Sequence, residues 1–494
     1  MRKALVIYNP AAGRFPVKPF LKAIETELVK AGWRAEIVAT QSGEHAVQLG
    51  RQAAAESYEA AFAVGGDGTV GQVASGLLGS ETALGVLPAG TSNVWATSTS
   101  KYKRLKNCTS EDGRIRGTIQ FSGAQRTRRD AGRNFQPQNL PRPDMKTKEI
   151  EEGIEALKGG YADILFENVM RLCANALRGC IVAAPGHKLV IADLSNIEGR
   201  VAAWLTGEEW KLQAFLENDS GTGEDLYKLA YAKAFNISPQ QVKDGSLERQ
   251  IGKVMELMLQ YEGGVGAFLT GAATYRIDLE DMARKALPNM PQATVAEATK
   301  FYEFKKESGQ ETYDLSKEVF VACDGLKRLW RAKHPAIAGS WRQLADAFRM
   351  AVAGHSSTVG RLEFQRHKNW VRLLMPSGAS VCYPGASVDS EGNLRYWGVN
   401  SFTRKWGRLQ TYGGKLLENA TQACSRDVFK HGQLAAEHAG YKVILPVHDE
   451  NLTEVPDKPE YSAEGLSELM SHVPWADGLP ISAKGFETYR YRKG

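Results

Sequence analysis

The sequence predicts a doubly wound α/β half-domain over residues 1–97, followed by a larger body of α+β type. Three observations predict it. In the first hundred residues, short buried-strand runs alternate with helical stretches, and the strands end in glycine-rich turns. Helical periodicity dominates farther on. Within that helical body, two apolar strand runs about 250 residues apart end in carboxylates.

In chain order, Lys3–Tyr8 reads as a buried strand running into Asn9-Pro10-Ala-Ala-Gly13 and a helix over about 20–31. A strand at about 34–39 precedes Thr40-Gln-Ser-Gly-Glu-His45 and a helix to about 56. Ala61–Val64 then meets Gly65-Gly66-Asp67-Gly68-Thr69, and Ala83–Leu87 meets Pro88-Ala-Gly90-Thr91-Ser-Asn93. Backbone amides at such strand ends cradle phosphates, so the switch-point crevice is a candidate nucleotide site.

Residues 1–98 balance eight Lys/Arg against eight Asp/Glu, so the net charge of +6 lies wholly downstream. Within 101–133, ten basic residues meet three acidic ones, with Tyr102 and Phe121 interleaved. That is the footprint of a surface tracking phosphates. A hairpin is expected over Asp112–Phe121, and Asp130 is expected to weaken binding there. The pattern is helical and amphipathic from 146 to 180, helical again over Glu208–Phe235, and mostly helical over 262–380. Gly413 begins another helix, on which Asn419 and Gln422 share a face.

At 494 residues the chain allows two to four domains of ordinary globular composition, 43% hydrophobic and 24% charged. No run of eighteen apolar residues and no signal-peptide cleavage pattern occurs, so export and membrane insertion are not expected. The scattered cysteines (Cys108, Cys173, Cys180, Cys323, Cys382, Cys424) point to a reducing compartment without structural zinc. The expected location is the cytoplasm.

Val443-Ile-Leu-Pro-Val-His448-Asp449-Glu450-Asn-Leu-Thr-Glu-Val455 reads as two strands joined by a tight turn. Adjacent carboxylates at its tip can hold a hard cation such as Mg²⁺; a solvated turn is the plain alternative. Upstream, Leu189–Ala192 is a strand ending at Asp193, and Ser195 opens a helix with Glu198 at capping-box spacing. Glu248–Tyr261 reads as a helix N-capped by Ser246. Arg249, Lys253, Leu257 and Tyr261 recur every four residues on one slowly drifting face. Its cations suit triphosphate and its aromatic suits a base; an exposed basic helix is the alternative.

Asp193-x-Ser-x-Ile-Glu198-x-Arg200, Arg249-x3-Lys253-x7-Tyr261 and His448-Asp449-Glu450 resemble motifs A, B and C of family A DNA polymerases of the DNA polymerase I and phage type, over about residues 98–494. The resemblance implies a right-hand polymerase with palm and fingers. Primer-template DNA and dNTPs would be its partners, and two Mg²⁺ its cofactors. Asp193 and Asp449 would be the metal ligands, with Glu450 an auxiliary group. Arg249 and Lys253 would neutralise the triphosphate. Glu198, Tyr227, Leu257, Tyr261 and His448 would line the nucleotide site. Arg129, Arg133, Gln138, Asn139, Arg142, Asn419 and Gln422 would contact DNA. Leu257 stands where the family has an aromatic, and Asn451 replaces an apolar residue, which is expected to loosen the hairpin.

The ordered glycine-rich turns resemble the nucleotide-binding half of diacylglycerol and sphingosine-type lipid kinases, ending near Trp95. That implies ATP as a further partner, held by Asn9, Gly13, Gly66, Asp67, Gly68, Thr69, Thr91 and Asn93. The family's second, β-sandwich domain is not seen, so lipid phosphorylation is not expected. The expected divisions are the kinase-like half-domain (1–97), thumb and palm entry (98–185), motif A palm (186–207), fingers (208–380, with the motif B helix about 246–262) and motif C palm (381–494). No proofreading exonuclease is expected, because Glu25 and Glu27 fall within a helix. An ATP-binding lipid-kinase-like protein and a folded but inactive fusion of two truncated proteins remain the other readings.

Overall fold

The computed structural model describes residues 2–10, 18–88, 94–400, 403 and 405–492. The chain is a mixed α/β protein of two compact units: residues 1–119, 132–183 and 489–494 make one, and residues 120–131 with 184–488 make the other.

In the first unit, strands β1 (Arg2–Tyr8), β2 (Trp33–Ala39), β3 (Ala60–Gly65) and β4 (Ala83–Pro88) form a parallel sheet in the order β2-β1-β3-β4. Helices α1 (Lys18–Lys30), α2 (Gly43–Ala55) and α3 (Asp67–Leu77) fill the crossovers. Successive strand residues face opposite sides, so β1 sends Leu5 and Ile7 to a core with Leu49, Val70 and Val73, and Val6 to another with Leu21, Ile24 and Leu28. Helices α2 and α3 cross through glycines. A Cβ at Gly76 would fall 2.3 Å from the Val47 carbonyl oxygen, so only glycine permits this approach.

Helix α4 (Val94–Cys108) follows, and a turn beyond it is closed by a bridge between Thr109 and Ile115. The two-residue strands β5 (Ile119–Gln120) and β6 (Ala131–Gly132) flank the excursion 120–131. Helices α5 (Thr147–Gly159), α6 (Ala162–Leu165) and α7 (Val169–Ala176) occupy the stretch of amphipathic periodicity.

The second unit is built on an antiparallel sheet in the order β15-β16-β7-β17, from β7 (His187–Leu194), β15 (Lys442–Val447), β16 (Glu450–Pro456) and β17 (Ala483–Thr488). Leu189, Val190, Ile191 and Ala192 are fully buried, as a central strand requires. Helices α8 (Ile197–Thr206), α9 (Glu209–Asp219), α10 (Leu226–Phe235), α11 (Leu247–Leu259), α12 (Val265–Thr274), α13 (Leu279–Ala286), α14 (Gln292–Glu307), α15 (Lys317–Lys333) and α16 (Pro335–Ala353) then run without a strand. The helical reading of 262–380 ends at Ala353. Strands β8 (Ser357–Val359), β9 (Leu362–His367), β10 (Trp370–Leu374) and β11 (Ser380–Pro384) make one antiparallel sheet. Strands β12 (Ser387–Val388), β13 (Leu394–Val399) and β14 (Trp406–Thr411) make another. Helices α17 (Gly413–His438) and α18 (Ala463–Ser471) complete the unit. No helix among the described residues is long and apolar enough to cross a membrane.

A buried charge cluster ties the helices of this unit together. Lys211 of α9 meets Glu256 of α11 at 2.5 Å, and Glu256 also accepts from Trp330 Nε1 at 2.8 Å and faces His334 Nε2 at 2.9 Å. Burial alone would raise the Glu256 carboxyl. Lys211 and His334 outweigh it and hold the group well below the carboxylate range.

Candidate active site

The two distant carboxylate strands lie side by side. Asp193 of β7 is the cross-strand partner of Glu450 at the start of β16, and the Leu194 amide donates to the Asp449 carbonyl at 3.1 Å. Directly paired residues in such a ladder have backbones roughly 4.5–5.5 Å apart. Asp193 and the Asp449–Glu450 turn therefore lie side by side at one end of the sheet. The turn that delivers Asp449 has two residues between the paired Val447 and Glu450, and His448 takes φ 58° in it. A positive φ at the first turn position suits a tight hairpin. Glu450 is buried at 1% exposure, whereas Asp193 and Asp449 are half-buried and His448 is exposed.

The Arg129 guanidinium joins this end. It donates to Glu198 Oε1 at 2.7 Å and lies 3.5 Å from Asp449 Oδ1. Glu198 sits in the first turn of α8 and also accepts from the Tyr261 hydroxyl at 3.3 Å. Burial, reinforced by Glu198, pushes the Tyr261 phenol well above its usual range, so it remains a donor at neutral pH. The expected capping box fails here. Helix α8 has Asn196 at its N-cap, at φ 49° with no side-chain cap; the Ser195 amide donates to the Ser482 carbonyl at 2.8 Å, and the Glu198 carboxylate is held by Arg129 and Tyr261.

Helix α11 carries the basic pair. Ser246 caps it, accepting from the Arg249 amide at 3.2 Å. Arg249 Nε donates to Asp225 Oδ2 at 2.8 Å, and Asp225 itself N-caps α10. The Tyr227 ring lies 5.5 Å from the Arg249 guanidinium and 5.7 Å from Lys253 Nζ, which also sits 4.4 Å from the Tyr275 ring. Burial, with Tyr275 and Glu256 next, pushes the Tyr227 phenol up to about 12. Leu257 is exposed at 36%. Tyr261 lies two residues past the end of α11.

Several expectations need correction. Arg129 serves the acidic sheet end of its own unit, where its charge offsets two carboxylates. Neighbouring Arg128 pairs with Asp427 at 2.8 Å, and Arg126 lies over the Tyr396 and Tyr383 rings. Part of the basic run is thus internal wiring. Asp130 is neutralised by Lys430 at 2.6 Å and accepts from the Ser122 amide at 3.0 Å, so it does not stand bare among the arginines. Asn451 does not loosen its hairpin. It is fully buried, accepts from Gln433 Nε2 at 2.8 Å and donates to Met470 Sδ. Asn419 is buried at 4% and donates to the Tyr383 hydroxyl at 3.2 Å, away from the surface a DNA contact needs. Gln422 is half-buried on the same helix.

Arg133, Gln138, Asn139 and Arg142 belong to the other unit. There Asn139 donates to Gln136 Oε1 at 2.9 Å, and Arg142 lines a cavity of about 410 Å³ with Arg178 and Arg490. At the glycine-rich turns, Asn9 Nδ2 donates to Thr69 Oγ1 at 3.2 Å. Gly66 caps α3, which begins with Asp67 and Gly68. Gly13, Thr91 and Asn93 lie outside the described residues.

Mg²⁺ takes oxygen ligands and keeps several waters, so two carboxylates at one end of the sheet form a suitable donor set. Among the described residues no group of three or more His, Cys, Asp or Glu is poised around one point. Lys484 of β17 pairs with Asp193 on its other side, which sequence reasoning missed because β17 carries little apolar alternation.

An acidic sheet end, joined through Glu198 to an aromatic beyond a basic helix, defines the second unit. The comparisons with known proteins agree with both resemblances. The chain is 31% identical over 408 residues to a DNA polymerase of Bacillus phage SP02, covering 80% of this chain and 55% of that protein. Residues 3–115 match the diacylglycerol kinase catalytic domain family, past the boundary expected near Trp95. Diacylglycerol kinase of Bacillus subtilis (strain 168) is 36% identical over 98 residues, 19% of this chain and 32% of that kinase. The polymerase domain of Pol1 from M. smegmatis, solved with DNA primer-template and dNTP, matches with a TM-score of 0.46 and 18% identity, over 80% of this chain and 51% of that one. The chain thus spans about half the length of the phage polymerase and about a third of the kinase.

Proposed function

We propose that the chain is a template-directed DNA polymerase that adds dNTPs to a primer 3′-hydroxyl, with a palm built on the β7–β16 sheet and fingers built on α9 to α16. The observation that carries this reading is the cross-strand register uniting Asp193 with the Asp449–Glu450 turn. The phage polymerase match supports it. Asp193 and Asp449 would hold two Mg²⁺ in this reading, with Glu450 behind them, and the bound metal would supply activation of the primer oxygen and charge neutralisation at the leaving pyrophosphate. Arg249 and Lys253 bind the triphosphate, and Tyr227 orients both through its ring. Glu198, braced by Arg129 and Tyr261, excludes a ribose 2′-hydroxyl. Gln138, Asn139, Arg133 and Arg142 are the proposed DNA contacts of the other unit. No 3′→5′ exonuclease is proposed, since Glu25 and Glu27 lie on α1.

Primer extension with Mg²⁺ and four dNTPs, wild type beside Asp449→Ala, tests this. The variant is expected to lose at least on the order of a hundredfold in rate, the scale of removing one preorganised charge-stabilising group. Equal incorporation by both would overturn the reading, and none by either would favour an inactive fusion.

A second reading concerns the first unit. Asn9, just past the end of β1, and Thr69, in the first turn of α3 after β3, are joined by a hydrogen bond, which favours an organised ATP-phosphate site there. ATP binding that survives Asp193→Ala/Asp449→Ala would support it, and accompanying lipid phosphorylation would make the chain a kinase.

A further inference from the structure

Residues 355–412 hold eight Lys/Arg against three Asp/Glu, an excess of five in a chain whose whole excess is six. Most of this segment is sheet. In the β13–β14 ladder, Trp397 pairs with Arg408, Val399 with Trp406, and Arg395 with Gln410. Paired residues share a side of the ladder, as do residues two apart along a strand. These six side chains therefore form one face.

The opposite face is packed. It carries Leu394, Tyr396 and Leu409, with Tyr396 edge-on to Tyr383 at 5.2 Å and the Arg126 guanidinium over both rings. The outer face is open: Trp397 is 41% exposed and Trp406 is 61% exposed. The two indoles are diagonal neighbours, roughly 7–8 Å apart in such ladders. Trp397 is also held in place. Gly385 lies beneath it, and a Cβ there would fall 2.5 Å from its Cδ1. Two tryptophans left in water on one face, one of them seated against Gly385, are not accounted for by the packing of their own unit.

The surrounding charge selects the occupant. Arg408 lies on the face, and Lys405 is exposed beside Trp406; Asp389 offsets Arg395 at 3.0 Å. A protein partner matched to two indoles has no need of the cationic excess. Duplex DNA keeps its base faces inside the stack. Unpaired nucleotides combine flat π-faces with a polyanionic backbone, and aromatic platforms in a cationic setting bind them without sequence preference.

We propose that the outer face of β13–β14 binds single-stranded DNA, with Trp397 and Trp406 stacking on unpaired bases and Arg408 and Lys405 beside the phosphates. Its assignment to unpaired template rests on the polymerase reading; affinity for single strands does not.

The test uses the full chain and a fluorescent oligo(dT), with a blunt duplex of equal length as control, read by anisotropy and by quenching of intrinsic tryptophan fluorescence. Trp397→Ala/Trp406→Ala is expected to weaken oligo(dT) binding by about tenfold or more, while Trp406→Phe alone stays within about threefold of wild type. Quenching should vanish in the double variant, and its duplex affinity should hold. Unchanged oligo(dT) affinity overturns the proposal. So does an equal loss for duplex, or a wild-type dimer by sedimentation that the double variant lacks, which would make the face a self-association surface. Extension on a template with a one-nucleotide overhang separates the two readings. If wild type fails to extend while the oligo(dT) result holds, the polymerase reading falls and the platform stands.

Discussion

Asn451 shows what a single side chain decides. Judged by residue type it disturbs an apolar hairpin, yet it closes a buried polar contact with Gln433, whose Oε1 in turn accepts from Lys430. Asn451→Leu alone leaves the Gln433 amide without that partner. It is expected to lower stability by about 1–3 kcal/mol in denaturant titration, and adding Gln433→Leu should recover part of the loss. Glu198 makes a functional counterpart. Glu198→Ala removes the proposed barrier to a 2′-hydroxyl and is expected to raise the ribonucleotide-to-deoxynucleotide incorporation ratio by roughly tenfold or more. Tyr261→Phe, which keeps the ring but loses the donor to Glu198, should shift that ratio less. The identities of these residues were legible from motif spacing. The destination of Arg129 was not, because its partners lie 69 and 320 positions away and leave no local signal.

Among elements, the strongly apolar strands β1, β3 and β7, the β15–β16 hairpin and the capped helix α11 were readable, since pattern, turn or cap agrees with the structure there. Strands β8 to β14 were not read. Leu362 and Phe364 alternate with Glu363 and Gln365, and Val371 and Leu373 with Arg372, but the runs are short and follow a long helical stretch. The α9–α11 contact supplies the prediction at this scale. Glu256→Gln leaves Lys211 buried without its counter-charge and should cost about 3–5 kcal/mol. The sign with pH follows from the lowered carboxyl. Its stabilisation is fully present above the ordinary value of 4.5 and is lost as pH falls through the depressed folded value. The gap between thermal melts of wild type and Glu256→Gln should therefore narrow as pH falls below 4.5.

The molecule as a whole has separate cores in its two units, one centred on Leu5, Ile7, Val70 and Val73, the other on β7, α8 and α17. Calorimetry is expected to resolve two unfolding transitions. Under the readings above, ATP should raise only the transition of the first unit, and a dNTP with primer-template should raise that of the second. Either ligand at about a hundred times its Kd adds about 2.7 kcal/mol. A single transition moved equally by both would contradict that expectation.

The excursion 120–131 fastens three neighbouring arginines and an aspartate to different places: Arg126 to the Tyr383–Tyr396 rings, Arg128 to Asp427, Arg129 to Glu198 and Asp449, and Asp130 to Lys430. Arg128, in the left-handed region at φ 59°, separates the directions of its neighbours. Such a stretch reads like a key with four teeth at fixed spacing. Altering one tooth blunts one contact, whereas deleting a residue misaligns every tooth beyond the gap. A mutational scan should therefore find 126–130 tolerant of single exchanges at several positions and intolerant of any change in length.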